Sequence, residues 1–167
     1  MIIKYTNFSD GIHSFQLSDL VSNLGLEELF VGDVIVDCKM DKSIHQIVLD
    51  CDLSVNAKLV CDRCAIDIET NLTSHFQISY LFSRDTVKSD EYNVKYLSAD
   101  QEKIDLKDDI YEYAELSIPL KSLCNEECKG LCPQCGINLN ENKCNCKFEP
   151  SHDVWEPLKK LKGKFNN

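Results

Sequence analysis

The chain is poor in the residues on which enzymes and nucleic-acid binders usually depend. Among its 167 residues are four histidines, six glycines and one tryptophan, and its 18 Lys and Arg are outnumbered by 28 Asp and Glu. The glycines never gather into a phosphate-cradling loop, and no nucleophile elbow or metal-hydrolase motif is present. His13, His45, His75 and His152 are scattered, with no catalytic partner beside them in sequence. An enzyme is therefore not expected. No apolar run approaches the roughly 20 residues that a membrane-spanning helix needs. The opening, "MIIKYTNFSD", lacks a basic stretch followed by an apolar block and a small-residue cleavage site. A cytoplasmic protein with reduced thiols, no membrane contact and no small-molecule substrate is the expectation.

The shortage of cations also bears on partners. The formal net charge is −10, and Asp85 to Glu115 alone carries ten acidic and four basic side chains. Neutralising phosphates needs Lys and Arg, so the bulk field opposes nucleic acid and attracts a basic partner. Asp100, Glu102, Asp108 and Asp109 are the candidate docking acids. The locally basic piece is the ending "LKKLKGKFNN", with Lys159, Lys160, Lys162 and Lys164, which reads most simply as a solvated tail.

What the chain has in quantity is cysteine. Ten are present, and six fall in "LCNEECKGLCPQCGINLNENKCNC", from Leu123 to Cys146. In a reducing compartment such clusters read as metal ligands. Cys132, Cys135, Cys144 and Cys146 form a self-contained quartet. Gly136 follows Cys135 where a zinc knuckle needs a positive φ. Cys124 and Cys128 remain over, as do Cys61 and Cys64 of "CDRC". Both spacings suit structural zinc. Joining these two pairs makes a second four-thiolate site, giving two Zn²⁺ in all. The alternatives are a single zinc on a subset of these thiols, a redox dithiol at "CDRC", disulfides, or an iron–sulfur cluster. Cys38 and Cys51 sit on the apolar phase of their strands and read as small buried hydrophobes.

Periodicity places these motifs. Ile47, Leu49, Cys51, Leu53, Val55, Ala57, Leu59 and Cys61 occupy every second position, the mark of a strand with one wet face. Alternation resumes after Cys64 through Phe82, so "CDRC" is expected at a hairpin tip. Val34, Val36, Cys38 and Met40 predict another strand, and "YNVKYL" a short one. "SDLVSNLGLEELF" suggests a short helix capped by Ser18. "IDLKDDIYEYAELSIPL" predicts a helix over about 105–117, with Asp105 as N-cap and Pro119 as terminator. The expected fold is α+β: an antiparallel sheet or partly closed barrel over residues 1–122, one or two covering helices, a cysteine-rich zinc module over 123–149 and a tail over 150–167.

Three stretches resemble the YceD family of bacterial and plastid proteins linked to accumulation of large-subunit ribosomal RNA. They are "CDRC" at Cys61 to Cys64, the "IDLKDDIYEYAELSIPL" helix, and "CKGLCPQCGINLN" from Cys128 to Asn140. "DVWEPLKKLK" is similar to the family's ending, although Val154 stands where the family has proline and Pro157 comes later. The likeness covers most of the chain and is weakest over residues 1–30. It implies a non-catalytic ribosome-biogenesis factor that binds a basic large-subunit protein or a precursor particle. The alternative is a zinc-knuckle protein that contacts ribosomal RNA directly through Arg63, Lys121, Lys129, Lys143 and Lys147.

Overall fold

The computed structural model describes residues 1–26, 28–82, 93–98 and 100–146. The expected tail, Lys147 and part of the Asp85–Glu115 stretch lie outside these residues. Five strands form the main sheet: β2 (Gly11–Leu20), β3 (Phe30–Lys42), β4 (Gln46–Val60), β5 (Asp67–Phe82) and β6 (Val94–Leu97). They lie side by side in that order. A two-stranded ribbon pairs β1 (Ile2–Ile3) with β7 (Ile104–Asp105). Two α-helices, α1 (Val21–Leu24) and α2 (Lys107–Leu116), and a 3-10 turn at Tyr5–Asn7 are present among the described residues.

The sheet stays open. Closure would require β2 and β6 to pair, and they occupy opposite edges. The expected barrel is thus corrected to an open sheet. The sheet is also not wholly antiparallel, because β6 runs parallel to β5, with Ser79 opposite Val94 and Phe82 opposite Leu97. The helix expected after Ser18 is shorter and later. The strand period continues through Leu20, and only Val21–Leu24 turn helically before Gly25 at φ 80° stops them.

Alternation along β3, β4 and β5 sends one set of side chains inward. Val34, Val36, Met40, Ile47, Leu49, Leu53, Phe76 and Ile78 are buried on that face. Leu106, Ile110 and Ala114 of the α2 region are buried with them, and Phe76 stacks on Tyr113 at 4.6 Å between ring centroids. Each fully buried aliphatic side chain contributes roughly 1.5–3 kcal/mol. The N-cap is Leu106 and not Asp105 as expected; Asp105, one residue earlier, accepts the Lys107 N–H at 3.0 Å. Helical geometry begins only after Leu106.

Two inward residues differ from expectation. Cys38 and Cys51 are buried, but they are not reduced hydrophobes: their sulfurs are joined at 2.12 Å. The register is the reason, since it sets Cys38 directly opposite Cys51 on the same face. Asp109, a candidate docking residue, is buried too, with its carboxylate 2.5 Å from Lys95 Nζ. It lies beside Ile110 on the inward side of α2 and is not offered to a partner. Nearby, burial and then the charges of Asp109 and Asp105 push the Tyr80 phenol well above its ordinary value.

Candidate metal centres and the uncovered sheet face

The β4–β5 hairpin turns through Cys61–Asp62–Arg63–Cys64, with Ala65 at φ 57° and its N–H donating to the Cys61 carbonyl at 2.9 Å. This turn aims both sulfurs at the chain that follows α2. There Cys61 Sγ lies 3.9 Å from Cys128 Sγ, and Cys64 Sγ lies 3.7 Å from Cys124 Sγ. In the second group, Cys132 and Cys144 sulfurs are 3.5 Å apart. Within each of the two quartets, Cys61/Cys64/Cys124/Cys128 and Cys132/Cys135/Cys144/Cys146, the sulfurs all lie within 4.8 Å of one another. Four thiolates at about 2.3 Å from one tetrahedral zinc stand about 3.8 Å apart, so the spacing fits a single central cation.

The surroundings favour the thiolate at one sulfur of each quartet and the thiol at another. Burial opposes ionisation of Cys61, but N–H groups of Cys124, Cys64 and Arg63 outweigh it and hold the thiol at about 6. The N–H groups of Cys135 and Gln134 bring Cys132 down to about 6 as well. The last proton of each quartet behaves oppositely. Sharing with Cys128, then burial, pushes Cys124 up to about 12; sharing with Cys135, then burial, pushes Cys146 up to about 12. One sulfur therefore ionises readily while another resists because its neighbours are already negative. A divalent cation at the centre removes that conflict. Asn140 adds an outer contact, its Nδ2 donating to Cys128 Sγ at 3.3 Å.

Hydrogen bonds lock the hairpin tip to the cysteine-rich segment. Asp62 N–H donates to the Ser122 carbonyl at 2.8 Å, and Ser122 N–H donates to the Asp62 carboxylate at 2.7 Å. Arg63 Nη1 donates to the carbonyls of Glu126 and Cys128, both at 2.9 Å. The Leu131 N–H returns to the Arg63 carbonyl at 3.0 Å. Gly130 makes this approach possible: it sits at φ +75°, and a Cβ there would stand 2.9 Å from the Arg63 carbonyl oxygen. Cys128 and Cys132 flank that glycine, so one short span serves both quartets.

Arg63 is thus a structural tie through one nitrogen, and like Lys121, Lys129 and Lys143 it is exposed. Of the other expected contacts, Asp100 is exposed and Glu102 pairs with Lys4 at 3.3 Å. Sequence reasoning missed Asp62, Ser122 and Asn140. Their signal was weak: a polar residue inside "CDRC", and an asparagine that is only one of several in the loop.

It also missed the uncovered face of the sheet, the one that no other described element covers. Asp37, Asp41, Asp52, Asp67 and Glu69 are exposed there and Asp50 half-exposed, against Lys39, Lys58 and His75. Asp37 lies directly opposite Asp52, and Asp52 opposite His75. His75 Nδ1 is 3.0 Å from the Asp52 carboxylate and 3.7 Å from that of Asp50. The uncovered face is therefore acidic at its centre.

Fold and site together define a small sheet protein whose longest hairpin is stapled to a module of two four-cysteine clusters. The family model described as "Large ribosomal RNA subunit accumulation protein YceD" matches residues 49–162, and the chain belongs to that family. It is 37% identical over 60 residues to the large ribosomal RNA subunit accumulation protein YCED homolog 1, chloroplastic, of Arabidopsis thaliana. That match covers 36% of this chain and 19% of the plant protein. The Zea mays protein of the same name is 47% identical over 51 residues, 30% of this chain and 17% of that one. A Mycobacterium bovis protein is 25% identical over 159 residues, covering 89% of this chain and 74% of the relative. The matched segments thus span less than a fifth of the two plant chains. No solved structure matches the chain.

Proposed function

We propose that this protein is a non-catalytic factor that supports accumulation of large-subunit ribosomal RNA by holding a basic large-subunit protein, or a precursor particle that presents one. Zn²⁺ fills both cysteine quartets and serves structure, since all-thiolate tetrahedral sites leave no open coordination position for chemistry. The observation that carries the docking role is the Asp37–Asp52 pair on the uncovered face. Like charges directly opposite one another across strands destabilise a sheet. A cationic partner relieves the repulsion, and local rules are broken most readily where function requires it. The family's link to large-subunit ribosomal RNA accumulation supports the process, and the acidic face supports the kind of partner.

The second reading, direct RNA contact at the knuckles, rests on exposed Lys121, Lys129 and Lys143. It is weakened because Arg63, the best phosphate fork in the region, has its Nη1 held by two backbone carbonyls. The test is binding of the Asp37→Lys/Asp52→Lys variant, checked for folding by circular dichroism, to isolated basic large-subunit proteins. Association should slow strongly with release little changed, because long-range steering acts on the encounter. Equal binding by variant and parent, with tight salt-sensitive binding of the parent to bare ribosomal RNA, would sink the acidic-face reading and favour the knuckles.

A further inference from the structure

The strand β2 is an unpaired edge, and its sequence is a chemical palindrome. It hydrogen-bonds β3 on one side, and among the described residues no backbone group pairs with its other side. Edges of this kind are usually blunted by lysine, proline or a bulge. Here the run Ile12–His13–Ser14–Phe15–Gln16–Leu17–Ser18–Asp19–Leu20 has none of these, and its register with β3 is unbroken. Read outward from Gln16 in both directions, Phe15 matches Leu17, Ser14 matches Ser18, His13 matches Asp19, and Ile12 matches Leu20.

We infer that β2 pairs antiparallel with the β2 strand of a second copy of this chain, across a two-fold axis at Gln16. In that register every residue meets its own kind or its complement. Phe15 and Leu17, only half-buried at the edge of the core, cover each other across the seam. Ile12 and Leu20 are 64% and 51% exposed on the opposite face, and they also meet. His13 faces Asp19 of the partner, a pairing of cation and carboxylate when the imidazole is protonated and of hydrogen-bond donor and acceptor otherwise.

The backbone is oriented for this contact. The Cα atoms of Cys38 and Cys51 are 4.2 Å apart, the close spacing of a non-hydrogen-bonded pair. Cys38 therefore turns its backbone groups toward β2, where its partner is Phe15. It follows that the odd positions of β2 bond to β3, while Ser14, Gln16 and Ser18 point their N–H and C=O groups outward. Leu20 agrees with this parity, since its N–H is taken by the neighbouring Asp19 carboxylate at 2.9 Å instead of by β3. Pairing Ser14 with Ser18, Gln16 with Gln16 and Ser18 with Ser14 exchanges about six N–H···O bonds. The result is a closed, isologous dimer with one continuous sheet. Its two acidic uncovered faces then lie side by side, and each chain carries a net charge of −10. Salt should therefore strengthen this dimer, whereas it weakens attraction between opposite charges.

Sedimentation equilibrium across a concentration series, combined with hydrogen exchange resolved by residue, tests the seam. The expected result is a monomer–dimer equilibrium in which the Ser14, Gln16 and Ser18 amides gain protection as the dimer forms, while Phe15 and Leu17 stay protected throughout. Gln16→Lys sets like charges together on the axis, partly offset by the Asp37 carboxylate that Gln16 contacts at 2.8 Å, and should weaken association by about two- to fivefold, with circular dichroism unchanged. A parent protein that stays monomeric at the highest concentration reached in high salt overturns the inference. So does a dimer that Gln16→Lys leaves intact with the Ser14 and Ser18 amides unaffected.

Discussion

Replacing Gly130 by alanine tests the junction between hairpin and cysteine module without touching a ligand. Gly130 sits at φ +75°, where a side chain costs roughly 1–2 kcal/mol. The new Cβ would also stand 2.9 Å from the Arg63 carbonyl, and that oxygen cannot move without loosening the Leu131 N–H bond to it. Losing such a bond costs about 1 kcal/mol. The sum is about 2–3 kcal/mol, or about 30- to 150-fold in the equilibrium for opening the junction. Gly136→Ala is the internal control. It has a similar φ, +73°, but no atom within 4 Å of an added Cβ. It should therefore cost only the backbone term, inside the second quartet. The assay is hydrogen exchange of Asp62 and Ser122, whose amides bond reciprocally across the junction. Gly130→Ala should accelerate both, and Gly136→Ala should leave both near the parent rate. Equal effects of the two substitutions on these amides would refute the junction as described.

Lys95→Met should destabilise the fold, because it leaves the Asp109 carboxylate, 9% exposed, without its cation. Lys95 is itself 41% exposed, so the loss is about 2 kcal/mol and not the larger cost of a fully buried pair. A fall in Tm of about 4–8 °C, largely recovered in Lys95→Met/Asp109→Leu, is the expected calorimetric result. The Cys38–Cys51 bond predicts that denatured, metal-stripped, unreduced protein titrates eight thiols, matching the eight free cysteines. Ten would show that the two cysteines are reduced in the purified protein.

Much of the fold was legible where one local rule sufficed. Ile47 to Cys61 alternate without interruption, and the β4–β5 hairpin follows with "CDRC" at its tip. The stripe Leu106, Ile110 and Ala114 gave α2, because its period is that of a helix packed on one side. The two quartets followed from ligand spacing and from the need to complete two half-filled pairs. What failed depended on relations between distant segments. Whether a sheet closes is settled by its edge strands, and alternation within Ile47–Cys61 says nothing of β2 meeting β6. The Cys38–Cys51 bond needs the cross-strand register, which no spacing along the chain reveals. Asp109 read as a surface acid because its partner, Lys95, lies on β6. The acidic uncovered face was hidden for the same reason: Asp37, Asp52 and His75 are scattered in sequence and meet only in the sheet.

Metal stoichiometry of the intact chain and two variants tests the central claim most directly. The reduced, carefully purified protein should carry close to two Zn²⁺ per chain by elemental analysis and native mass spectrometry. Cys61→Ser and Cys135→Ser should each lower that to about one, since they fall in different quartets. Only Cys61→Ser should raise hydrogen exchange along the β4–β5 hairpin, because only its site joins the hairpin to the segment after α2. A parent value near one would contradict the account, as would Cys61→Ser that retains both ions with its hairpin amides unchanged.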